Sequence, residues 1–262
     1  MKTSFGLDIA GYSTGKLGFA MAQRKNNIAI EVTVYQGHIF SKKFDLKNPL
    51  EEIMKKEREL LFSGLHNSSL IVDIPIDLQG LPHLNNALYI WQLTQRPVDF
   101  AFGALAPFAN FIGSPVARFQ NLINEGFNGI IGKNIFETYP ARSLDLINLP
   151  SQNYKKKNIS YNNGHWNDGP AAKIAQGLGL VAKKEGETLN DDELDAIICA
   201  ITGVVDENLI LQGDDLKNEI CNRIMQKLIL QNLDGINVEP PLGYILLKEN
   251  PKMKILIEKQ NL

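Results

Sequence analysis

The sequence predicts an α/β fold built on a mixed sheet. Three observations carry this. Apolar, β-branched runs come first, joined by short turns. Strand-like and helix-like stretches then alternate. A mid-chain run, "SSLIVDIPIDLQGLP" at 68–82, is apolar over its strand-length part, as in a central parallel strand.

Residues 4–9 read as a buried strand and 17–23 as its neighbour. Residues 28–40 ("IAIEVTVYQGHIF") are β-branched and partly alternating, and "RKNN" before them is a turn signal. These three form an antiparallel meander. Pro49 then opens "PLEEIMKKERELLFSGL", with glutamates in the first turn and Gly64 as the stop of a helix. The run from 68 is ended by Pro75. Residues 96–133 are rich in Phe, Gly and Pro and read as a loop-rich insertion. "NIFETYPARSLDLINL" (134–149) gives a short strand and then a helix, and 150–169 is polar. Helices are expected at about 169–185, 191–206 and 214–232, and final strands at 243–248 and 253–258. The core is expected to span 1–206, with 207–262 as an extension of the same domain.

The chain has 262 residues, 44% of them hydrophobic and 21% charged, with a formal net charge of −2. That balance disfavours a nonspecific nucleic-acid coat but leaves room for a local basic patch. Cys199 and Cys221 form no CxxC pair, so neither a zinc knuckle nor a disulfide framework is expected. No apolar stretch approaches the ~18 residues of a membrane span. Asp8 interrupts the only candidate leader core. A reducing cytoplasm fits these features.

The informative feature is where acids stand. Asp8 ends the first strand, Asp73 ends "LIVD", and Glu137 ends "IFE". Asp192 and Asp195 open a helix in "DDELDAIICAIT". A buried carboxylate is costly unless paired, protonated or bound to a cation. In the helix, Leu194, Ile197, Ile198, Ile201 and Val205 make an apolar stripe, and Asp195 borders it. If the stripe packs on the sheet, Asp195 leans over the strand ends. Each acid also has a plain reading. First-turn acids complement a helix dipole, with Asn190 or Asp191 as the cap. Asp73 can cap a loop before Pro75, Asp77 competes with it, and Glu137 can pair with Arg142.

Together, "GLDIAGYSTGKLGFA", "IVDIPIDL", "RPVDFAFGA", "FETYPARSL" and "DDELDAIICAIT", in this order over about residues 3–206, resemble a domain-of-unknown-function family of predicted RNase H-like nucleases. That family is related to the Holliday-junction-resolvase branch of the fold. The resemblance implies a five-stranded mixed sheet, its first three strands antiparallel and the rest parallel, flanked by helices. It implies a site of Asp8, Asp73, Glu137 and Asp195, with Asp192 as a further ligand, holding Mg2+ or Mn2+. Arg96 and Asp99 match an "RxxD" element, although the further arginines that usually follow are replaced by "FAFGALAP".

"NYKKKNISYNNGHWNDG" adds Lys155, Lys156 and Lys157 beside Tyr154, Tyr161, His165 and Trp166. Lysines contact phosphates and aromatics stack on bases, so Lys155, Lys156, Lys157, Arg96 and Trp166 are candidates for holding DNA or RNA. A solvated loop is the plain alternative. Cys199 reads as core. Metal-dependent cleavage of nucleic acid is therefore the leading expectation. "GYSTGKLG" after Asp8 also resembles the first phosphate loop of sugar kinases and actin-like ATPases, which would bind ATP, although a second Asp-Gly phosphate loop and an adenosine site are not evident. A binding protein that keeps the fold without catalysis is the third reading.

Overall fold

The structure is a computed structural model that describes residues 2–11, 16–26, 28–36, 52, 55–59, 68–77, 87–105, 110–126, 129–155 and 158–261. The strands are β1 (Lys2–Ile9), β2 (Leu17–Arg24), β3 (Ala29–Gln36), β4 (Ser69–Val72), β5 (Ile135–Glu137), β6 (Ile159–Asn162), β7 (His165–Trp166), β8 (Leu180–Ala182), β9 (Thr188–Leu189), β10 (Ile210–Leu211), β11 (Leu246–Leu247) and β12 (Lys254–Asn261). The helices are α1 (Pro97–Phe102), α2 (Asn110–Gly126), α3 (Pro140–Leu146), α4 (Pro170–Gly177), α5 (Asp191–Val204) and α6 (Gly213–Leu228).

A seven-stranded sheet of order β5-β4-β1-β2-β3-β12-β8 forms the centre. β1, β2 and β3 pair antiparallel. β4 and β5 then add parallel on one side, and β12 and β8 add parallel on the other. The mixed sheet is thus as expected, but it is wider than five strands. The cause is the tail, whose Lys254–Asn261 strand pairs with β3 along eight residues. Among the described residues, no helix is long and apolar enough to cross a membrane.

Alternation along β1 sets the two layers. Phe5, Leu7 and Ile9 face one core cluster with Leu17, Phe19 and, from α2, Val116, Phe119 and Leu122. Ser4, Gly6 and Asp8 point the other way, toward α5. α5 is buried along nearly its whole length, from Glu193 to Val204. Each fully buried Leu, Ile or Val in it is worth roughly 1.5–3 kcal/mol of burial. It begins as a capping box: Asn190 Oδ1 accepts from the N–H of Glu193, and Glu193 Oε2 accepts from the N–H of Asn190. Asn190 is therefore the cap.

Two glycines let this helix approach the sheet. A Cβ at Gly6 would stand 2.0 Å from Ala196 O, and one at Gly18 would stand 1.9 Å from Asp192 O. Backbone meets backbone there, which any side chain would prevent. Gly18 is also the residue opposite Asp8 in the β1–β2 ladder. The first turns of α5 therefore descend beside Asp8.

Several expected elements differ. The segment 96–133 is not a plain loop, because it holds α1 and α2. Pro97 sits at the start of α1, where its missing N–H costs nothing. Val116, Phe119, Leu122 and Ile123 keep helical spacing on α2 despite Pro115 inside it. The helix expected at 169–185 stops at Gly177. Gly179 takes φ +76° and the chain turns into β8. The polar stretch 150–169 contains the β6–β7 hairpin, closed by Asn163 and Gly164, both with positive φ. An Asn-Gly pair is the preferred two-residue hairpin turn. Most of the helix expected over 49–64, the end of the strand expected at 28–40, residues 12–15, and Lys156 and Lys157 lie outside the described residues.

Candidate carboxylate site

Parallel pairing brings Asp8 and Asp73 together. Leu7 stands opposite Val72, and the Asp73 N–H donates to Leu7 O at 2.9 Å, so the ladder continues one residue further. Asp8 and Asp73 are then neighbours on the face that α5 covers. Asp195 comes down on them from the second turn of α5. One oxygen from each of the three carboxylates lies within 4.8 Å of the others. Asp195 is fully buried, and Asp8 and Asp73 are half-buried.

Two neighbours from the preceding loop complete the cluster. The Tyr154 hydroxyl donates to Asp195 Oδ1 at 2.7 Å. The Lys155 ammonium lies 2.7 Å from Asp195 Oδ2, while half of its side chain stays in solvent. The lysine is thus the partner of Oδ2.

The electrostatics follow from crowding. Burial raises the Asp8 carboxyl well above the usual range, and the charges of Asp73 and Asp195 push it further. Asp73 rises to about 7, through burial and then the charge of Asp195. Asp195 is also raised by burial, although Lys155 and Tyr154 pull against that rise. Burial opposes the charged form of Lys155, but the three aspartates outweigh it and hold the lysine protonated. Tyr154 is raised by burial and by Asp195, so it remains a neutral donor.

Glu137 does not join this cluster. It pairs in register with Val72, not with Asp73, so it projects to the opposite face. There it meets Arg96 through two hydrogen bonds of 2.6 and 2.8 Å, and it also accepts from the Ile76 N–H. Arg96 is committed a second time to Asp99, at 2.8 and 2.9 Å. It is 1% exposed. The alternative pairing of Glu137 with Arg142 is corrected accordingly, and Arg96 is spent on structure rather than open to phosphate. Asp77 accepts from the Leu242 N–H at 2.8 Å. Asp192 is half-buried and is not one of the three grouped carboxylates, although its charge adds to the rise of Asp8.

Trp166 is also corrected. It is 1% exposed, packs edge-on to Tyr161 and donates through Nε1 to Leu180 O, so neither face is open to a base. Cys199 is buried on α5, as expected. His165 is exposed, on β7 of the hairpin. The partnership of Tyr154 with Asp195 has no signal in the sequence, where Tyr154 reads as an aromatic for base stacking. Thr138 has no sequence signal either. Its N–H donates to Val72 O, which sets it level with Asp73, and its buried hydroxyl has no partner.

A cavity of about 300 Å³ opens beside the carboxylates, framed by Asp8, Asp73, Thr138, Tyr139, Lys155 and the Arg96 cluster. Hard divalent cations take carboxylate oxygens as ligands. The crowded charges of Asp8, Asp73 and Asp195 suit them. Fold and site define an α/β protein with a carboxylate cluster suited to a metal. Comparison of the chain with protein-family models, with curated proteins and with solved structures finds no match in any of the three.

Proposed function

We propose that this chain is a divalent-metal-dependent nuclease of RNase H-like fold, with Asp8, Asp73 and Asp195 as ligands for Mg2+ or Mn2+. The observation that carries the reading is the convergence of three carboxylates within 4.8 Å, from two strand ends and one helix. The run β5-β4-β1-β2-β3, three antiparallel strands followed by two parallel ones, supports the fold assignment.

Asp8, Asp73 and Asp195 would hold a divalent ion, which when bound would supply Lewis acidity for phosphodiester hydrolysis. The residues supply the rest. Asp8, Asp73 and Asp195 bring negative charge that is costly without a cation, so binding one relieves their repulsion. Tyr154 fixes the orientation of Asp195 through Oδ1. Lys155 holds a permanent positive charge at the mouth of the cavity, where a phosphate would lie. The Arg96–Glu137–Asp99 cluster braces the opposite wall.

Calorimetry with Mn2+ and cleavage assays on DNA and RNA test the reading, with wild type beside Asp8→Asn and Asp195→Asn. Metal-dependent cleavage in wild type, lost in both variants, is expected. Equal activity in all three proteins removes the site. Titration with ATP in the same calorimeter addresses the phosphate-loop alternative.

A further inference from the structure

Besides metal ligands, the cavity at the carboxylates has a second chemical character. Away from Asp8 and Asp73 its walls are apolar and aromatic, formed by Ile74, Pro75, Leu105, Ile112, Tyr139 and Tyr244. Arg96, Asp99 and Glu137 also reach it, but they satisfy one another. Among the fully buried side-chain atoms described on this lining, the hydroxyl of Thr138 has no partner, in a residue 2% exposed and level with Asp73. The whole cavity, its carboxylate end included, is about 300 Å³, at the small end of ligand pockets. Its apolar part is a slot with room for one planar heterocycle.

We propose that this slot receives one unpaired nucleobase next to the phosphodiester to be cut, so that the enzyme selects single-stranded, bulged or extruded nucleotides. The inference rests on the nuclease reading above and names its substrate class. The charge pattern sets the direction of entry. The carboxylates repel a phosphate unless a cation intervenes, so the backbone stays at the metal end beside Lys155. The neutral base takes the apolar end, against the half-buried Tyr139 and its aliphatic neighbours, with the Thr138 hydroxyl available to its edge. A base that is paired and stacked in a duplex cannot enter without first being pulled out, and a duplex therefore binds more weakly.

The test measures equilibrium binding of fluorescein-labelled oligonucleotides to the full chain at fixed salt. A duplex with one unpaired nucleotide is compared with its fully paired counterpart, in wild type, Ala104→Phe and Thr138→Val. Ala104 lines the slot, and phenylalanine there fills it. Binding at least about tenfold tighter for the unpaired nucleotide is expected in wild type. Ala104→Phe brings the ratio to about one while Mn2+ binding, read by calorimetry, stays at the wild-type level. Thr138→Val keeps the ratio above one but weakens discrimination among the four bases. A ratio near one in wild type, or one unchanged by Ala104→Phe, overturns the proposal. Cleavage with a ratio of one removes the slot and keeps the nuclease. A clear ratio without Mn2+-dependent cleavage keeps the slot and removes the nuclease. Absence of any oligonucleotide binding removes both.

Discussion

Raising the pH of the metal-free protein from about 5 to about 8 should destabilise it, because folded Asp73 holds its proton more tightly than the unfolded chain does. Protonation therefore favours the folded state. The stabilisation is complete below the ordinary value of 3.8 and is lost as pH rises through about 7. At about 1.4 kcal/mol per pH unit, this rise corresponds to a ceiling of about 4 kcal/mol. Asp73 is half-buried, so water screens part of its charge and about 2 kcal/mol is expected. Asp8 acts in the same direction. The assay is urea unfolding followed by circular dichroism, in EDTA, across this pH range. Asp73→Asn is run in parallel to subtract other titrating groups. The wild-type minus variant difference should fall with pH, and saturating Mn2+ should reverse the fall. A difference that is flat or rises between about pH 4 and 8 refutes the reasoning, since uncrowded carboxylates would behave that way.

Three further outcomes follow from the same geometry. Lys155→Met removes the charge that holds Asp195 Oδ2, so metal-free stability at neutral pH should drop by about 1–2 kcal/mol, discounted because the lysine is half exposed. Its melting temperature should then gain more from added Mn2+ than that of wild type. Gly6→Val drives a side chain into the Ala196 carbonyl and should cost about 1–3 kcal/mol or more in urea unfolding. Because α5 is pushed off the sheet, Mn2+ affinity measured by calorimetry on the folded fraction should fall as well. Arg96→Gln leaves Glu137 and Asp99 as uncompensated buried acids, at a cost of about 3–5 kcal/mol in the denaturation midpoint. Arg96→Lys should recover little, because one ammonium cannot reproduce the forked contacts to both carboxylates.

The sequence by itself determined the β-meander, the buried mid-chain strand, the helix of "DDELDAIICAIT" and the positions of acids at strand ends. These rest on local periodicity and on the cost of burying charge, and both are visible along the chain. It also carried an Asn-Gly turn at Asn163–Gly164 that marks the β6–β7 hairpin, although the surrounding polarity masked it. Only the tertiary structure decided which acids meet. Asp73 and Glu137 look alike in sequence, each closing a short apolar strand. Pairing Val72 with Glu137 places their side chains on one face and Asp73 on the other. Register is a relation between strands, and no single strand encodes it. The same holds for Arg96, which chose Glu137 from far along the chain, and for Trp166, whose loop-like surroundings gave no sign of burial. It holds as well for the tail, whose final strand lies against β3 because that open edge of the meander offered it a ladder of unpaired backbone groups.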